Sequence, residues 1–188
     1  MPITTTEIAV LASDLCNGRT DGVLKLFADE GLPLPILAFD PDPVRITHPV
    51  LSALLSAWKA THEKTALLRS EAVTAHWDDL AVLDLLDGGW DFHYAHYGDA
   101  VANAFGRSLA GTRTSELPSG SFIASFFLVT YRAAILRAVP LFSEHSPPRD
   151  IGVDRWQRLV LPMHDDYGRP SRLLVGIVDA GDHAGTSQ

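Results

Sequence analysis

One cysteine, Cys16, stands in 188 residues. A single thiol excludes an intrachain disulfide and any multi-cysteine zinc site, and it agrees with a reducing compartment. Cys16 itself reads as a small apolar residue on a helix rather than a reactive thiol. No apolar run approaches the ~20 residues that a membrane-spanning helix needs, and the N-terminus lacks the basic start and continuous apolar stretch of a signal peptide. Cytoplasmic residence, with no membrane partner, is the expectation. Positive charge is also scarce: 15 Lys and Arg face 23 Asp and Glu, a formal charge of −8. Such a field repels phosphates and anionic lipid, so no nucleic-acid partner is expected. The one basic concentration, Arg155, Arg158, Arg169 and Arg172, has Asp150, Asp154, Asp165 and Asp166 close in sequence and reads as a solvated charged rim. Nucleotide-binding and nucleophile motifs are missing too. There is no Gly-x-Ser-x-Gly elbow, no Walker loop and no Gly-x-Gly-x-x-Gly turn, so a hydrolase triad has no address.

What is present is enough for a substantial core, with 46% hydrophobic and 20% charged residues. Ala81 to Leu86 is an apolar run of strand length, Asp87-Gly88-Gly89 tolerates positive φ, and Asp91 to Tyr97 is rich in aromatics; together they predict a β-hairpin. Gly98 releases the second strand, Asp99 can cap a short helix over Ala100 to Phe105, and Gly106 can end it. From Ser121 to Val139, Phe122, Phe126, Val129, Ala133 and Leu136 recur at helical spacing, while Ile123, Phe127 and Ala134 make the early turns apolar nearly all round. That pattern predicts a buried helix, stopped before Pro140. Leu141 to Glu144 suits a short strand, and Arg155 to His164 and Arg172 to Val178 suit two longer ones joined through Asp165 to Pro170. The sum is an α+β domain with one five-stranded antiparallel sheet and helices on one face of it.

The N-terminal third divides at prolines. Thr6 to Leu15 and Asp21 to Asp29 look helical, whereas Pro33, Pro35, Pro41 and Pro43 punctuate what reads as a linker. Thr47 can cap a further helix with Pro49 in its first turn, striped by Leu51, Leu54, Leu55, Trp58 and, further on, Leu68. The expected organisation is a helical extension and Pro-rich linker over residues 1–45, a domain over 46–178 and a mobile polar tail over 179–188.

Metal ligation finds little support. His93 and His96, three apart on a regular strand, point to opposite faces and would need a bend to chelate one ion. His164-Asp165-Asp166 at a strand end, with His145 joining through the fold, is the better grouping, but hairpin tips are polar for solvation alone. No metal site is expected.

The order of elements, with Leu83-Asp84-Leu85-Leu86, Asp91-Phe92-His93-Tyr94, Gly98, Phe105-Gly106-Arg107, Leu109, Gly111, Tyr131-Arg132, Pro140-Leu141, Trp156 to Pro162, Asp165 and Gly168, resembles a PAS domain, specifically a bacterial PAS-like family. The resemblance covers roughly Pro49 to Val178. It departs at His93 and Ala95, where basic residues are common in that family, and at Asp99, where threonine is. It implies a PAS-type sheet preceded by N-terminal helices, and a non-catalytic sensory or protein-interaction module for signal transduction. A small ligand or partner would change helix-sheet packing or dimerisation, and output would pass to another protein in trans. The resemblance also implies a pocket between the inner sheet face and the helices, for which Phe92, Tyr94, Phe105, Phe122, Phe126 and Trp156 are the candidates. All six suit an ordinary core equally well. The helix bearing Leu51, Leu54, Leu55 and Trp58 would either pack on the sheet or pair with a second copy to form a homodimer. Among cofactors, a covalent flavin adduct is disfavoured because Cys16 lies far outside the helical middle segment, and haem because the long helix has no histidine. Non-covalent flavin or a small metabolite stays open. The alternative is a small cone-shaped enzyme resembling ketosteroid isomerase, suggested by Asp21 to Glu30, which would need an enclosed acid from Asp84 or Asp91 beside a tyrosine.

Overall fold

The computed structural model describes residues 4–61, 64–117, 122–148 and 152–181. Its strands are β1 (Ile36–Phe39), β2 (Leu80–Leu86), β3 (Asp91–Tyr97), β4 (Leu141–His145), β5 (Trp156–His164) and β6 (Pro170–Asp179). They form one sheet in the order β1-β4-β5-β6-β2-β3, and every neighbouring pair is antiparallel. The helices are α1 (Thr5–Cys16), α2 (Asp21–Ala28), α3 (Pro49–Ala60), the single turn α4 (Glu71–Thr74), α5 (Asp99–Phe105) and α6 (Phe122–Arg137). The five expected strands therefore lie side by side. The sixth, β1, comes from the proline-punctuated stretch expected to be a linker. Pro33 and Pro35 precede it, and β1 pairs only with β4 at the sheet edge, where a proline nearby removes no interior ladder bond.

Strand alternation sorts the side chains onto two faces, and both are covered. Leu83, Phe92, Tyr94, Leu141, Val160 and Val175 join the core beneath α5 and α6, whereas Leu80, Val82, Leu159, Leu161 and Leu174 join a second core beneath α3. The expectation of helices on one face is corrected accordingly. A sheet whose strands are apolar on both sides, as Leu80 to Leu83 and Leu159 to Met163 are, must be shielded twice. α3 sits so close that a Cβ on Gly176 would come within 2.7 Å of the methyls of Leu51 and Leu54. Trp58 completes the seam by donating its indole N–H to the Pro162 carbonyl at 2.9 Å.

α6 is apolar nearly all round because it is an inner layer. Ten of its 16 residues are buried, from Ile123 to Ala134, with the sheet on one side and α1 and α2 on the other. Cys16 of α1 lies there, its Sγ 3.6 Å from the Ala133 carbonyl, and burial pushes its thiol pKa up. Arg132 stacks 3.4 Å over Trp90 and donates to the Gly89 carbonyl, and Arg137 lies 4.5 Å over Phe39. These two cations pin the helix to the β2–β3 turn and to β1.

Several boundaries differ from expectation for local reasons. α3 is capped by His48, whose Nδ1 accepts from the Val50 amide, in place of Thr47, and it ends at Ala60, so Leu68 belongs to a separate 3-10 segment over Lys64–Arg69. Gly98 caps α5, placing Asp99 in the first turn. Ser121 and residues 182–188 of the expected tail lie outside the described residues.

Candidate functional site

Between the inner face of the sheet and the α5–α6 cover, a cleft of about 360 Å3, counted to its mouth, is lined by Tyr94, Tyr97, Val101, Phe105, Ile123, Phe127, His145, Pro147, Pro148, Trp156, Arg158 and Ile177. Its enclosed part is about 20 Å3, room for roughly one water-sized group. β3 supplies the tyrosines, β4 supplies His145 and β5 supplies Trp156 and Arg158. The paired residues His145–Trp156, Ser143–Arg158 and Arg158–Ile177 place these groups in adjoining rows of the ladder. A bulge in β3 helps. Val82 pairs with His96 and Leu83 with Tyr94, leaving Ala95 extra, so Tyr97 returns to the inner face three residues after Tyr94. The same bulge keeps His93 and His96 together on the outer face, correcting the opposite-face expectation. There His93 lies beside Asp84 and His96 stacks at 4.0 Å on Trp77.

The inner face is apolar except for one polar cluster. Arg158 is 4% exposed and His145 1% exposed. The Arg158 guanidinium lies 3.8 Å over the Phe127 ring, and one terminal nitrogen donates to the Tyr131 hydroxyl, which stands 3.3 Å from the Tyr94 hydroxyl. No carboxylate forms an ion pair with it among the described residues, and its Nε–H has no partner. Among the described residues, both ring nitrogens of His145 are likewise buried without a partner, amid Phe27, Phe126 and Phe127. Burial, then the Arg158 and Arg155 charges, hold His145 well below the usual imidazole pKa, so it is neutral at pH 7. Burial above all pushes the Tyr94 phenol well up, and that of Tyr97 with it. The cluster thus carries one positive charge.

Arg158 corrects the charged-rim reading. Arg155 pairs with Glu144, Arg169 with Asp165 and Arg172 with Asp84, as a solvated rim requires, but Arg158 turns inward. The sequence held the signal, since Arg158 is two residues from Trp156 and must share its face. Of the six pocket candidates, Tyr94, Phe105 and Trp156 line the cleft. Phe92 lies against Tyr131 at 5.2 Å, and Phe122 and Phe126 pack edge-on to Phe27 at 4.9 and 5.0 Å, as core. Leu51, Leu54 and Leu55 are fully buried against the outer sheet face of the same chain. His145 and His164 occupy opposite ends of the β4–β5 region, and among the described residues no group of three His, Cys, Asp or Glu is placed to hold a metal ion. Asp84 is engaged by Arg172 at 2.6 Å, and Asp91 accepts from the Ser115 amide and hydroxyl.

No protein-family model matches the chain, and no curated protein matches it. Among solved structures, that of an RNA-binding light-oxygen-voltage receptor is similar, with a TM-score of 0.43 and 16% identity over 86% of this chain. The match spans 44% of that receptor chain, less than half its length. Among the described residues no helix is long and apolar enough to cross a membrane.

Proposed function

We propose that the chain is a PAS-like sensory module, non-catalytic, which takes a small ligand into the cleft between the inner sheet face and the α5–α6 cover. The observation that carries this is the cleft itself: Tyr94, Phe105 and Trp156, named from sequence as pocket walls, meet around it with unpartnered polar groups behind them. Buried polar atoms without partners are costly, so those of His145 and Arg158 favour a ligand that would satisfy them. α5 is the movable wall. It is seven residues long, only Val101 of it is buried, and Phe105 remains partly exposed at the mouth. Ligand entry would lift α5 and alter helix-sheet packing, and output would pass to a partner protein in trans. A homodimer remains part of this proposal. Since Leu51, Leu54 and Leu55 are occupied within the subunit, its seam would use other surface. The cone-shaped enzyme is the weaker reading, because Asp84 and Asp91 are both engaged outside the cleft.

Native mass spectrometry with an absorbance spectrum of freshly purified full chain tests this. A discrete adduct above the 20.4 kDa chain, released on denaturation, is expected. A bare-chain mass from several expression hosts, with a Tm that no small-molecule extract shifts, would remove the ligand reading.

A further inference from the structure

Resting on that reading, we infer that the cleft is a monocarboxylate site, in which the ligand's carboxylate pairs with Arg158 and its apolar body lies against Phe105 and Trp156 toward the mouth. Four observations converge on this chemistry. First, a guanidinium that is 4% exposed has no carboxylate partner among the described residues, although an unpaired buried ion is among the least tolerated groups in a protein interior. Second, Phe127 covers a face of the guanidinium and the Tyr131 hydroxyl takes one terminal nitrogen, so the donor left without a partner among the described residues is the Nε–H, and a carboxylate oxygen is the acceptor that suits it best. Third, the neutral His145 adds one N–H donor but no charge, so the cluster balances a monoanion; a dianionic phosphate would stay half neutralised. Fourth, the outer walls are Val101, Phe105, Pro147, Pro148 and Trp156, which can shield an aliphatic or aromatic body.

The enclosed space admits only a water-sized group, so a carboxylate with a body cannot enter without moving a wall. Binding and the displacement of α5 are therefore one event. The charged head supplies the differential affinity that such a shift requires.

The test is ligand-observed NMR and calorimetric titration of the full chain with acetate, propionate and benzoate, each beside its neutral amide, and with sulfate. Carboxylates binding while acetamide, propionamide and benzamide do not is the expected result, as is affinity rising from acetate to benzoate. Arg158→Met should weaken carboxylate binding on the order of 10- to 100-fold. Circular dichroism confirms that the variant is folded, and the comparison of acids with amides on unaltered protein needs no variant. Amides binding as well as acids would overturn the carboxylate inference and leave the ligand pocket standing. Sulfate binding as tightly as benzoate would overturn it in favour of a generic anion site. Silence from every acid and amide would overturn this inference, while the pocket itself falls only with a bare-chain native mass and a Tm that no small-molecule extract shifts.

Discussion

Replacing Arg158 by methionine should make the ligand-free protein more stable. The guanidinium now donates one charge-assisted hydrogen bond to the Tyr131 hydroxyl, an interaction of about 1.5–3 kcal/mol, and stacks on Phe127, which adds about 0.5–2 kcal/mol. Against this stands the desolvation of an ion that is 4% exposed and has no counter-charge, several kcal/mol by experience with buried ions. Methionine keeps most of the stem, can touch the Phe127 ring through sulfur, and leaves the Tyr131 hydroxyl its neighbour on Tyr94 at 3.3 Å. These terms nearly cancel, and replacement of buried ions by packed apolar side chains of similar volume is commonly neutral to stabilising by about 1–4 kcal/mol, so a gain of about 1–3 kcal/mol is expected, each kcal/mol raising Tm by about 2–4 °C for a chain of this length. Urea unfolding followed by tryptophan fluorescence, on protein stripped of bound small molecules by refolding, measures it. A loss of about 2 kcal/mol or more would refute the reasoning, because it would mean that Arg158 is a strut the fold needs without any ligand.

Three further outcomes are expected. His145 is held neutral in the folded protein, with a pKa below its unfolded value, so its contribution is intact above the unfolded pKa and is lost as pH falls. Between about pH 6.5 and 5 the stability should therefore fall by up to ~1.4 kcal/mol per unit, and His145→Phe should flatten that slope in urea unfolding at stepped pH. Ala138 ends α6 at φ 53, a left-handed conformation that an alanine adopts at a cost, so Ala138→Gly should raise stability by about 1 kcal/mol in the same assay. Gly98 leaves no room for a side chain, since a Cβ there would stand 2.1 Å from the Asp78 carbonyl oxygen. Gly98→Ala should cost about 1–3 kcal/mol or more by calorimetric Tm, because the obstacle is backbone and cannot rotate aside.

Much of the architecture was legible because it is written in periodicity. The β2–β3 hairpin was marked by Asp87-Gly88-Gly89, all three of which adopt positive φ, and α6 by aromatic spacing that also announced its burial. β1 was hidden because four residues between prolines carry too short a pattern, and its strand character comes from β4. The second face was hidden for a different reason. Leu80 to Leu83 and Leu159 to Met163 are continuous apolar runs, and an unbroken run shows burial without showing what lies on each side. At the site, the six aromatic candidates suit a pocket wall and an ordinary core equally well in sequence, and the structure sets Tyr94, Phe105 and Trp156 along the cleft and Phe92, Phe122 and Phe126 away from it, since only tertiary arrangement separates a lining ring from a filling one. Arg158 reads as part of the charged rim because its neighbours in sequence are charged. Its strand parity with Trp156 was the better guide.

The coupling of cleft to cover is tested most directly by hydrogen–deuterium exchange of the full chain with and without saturating benzoate. Altered exchange concentrated in α5 and in the segment from His145 to Pro148 is the result this account predicts. Benzoate that binds yet leaves those amides unchanged, or changes only the outer-face helix α3, would contradict it.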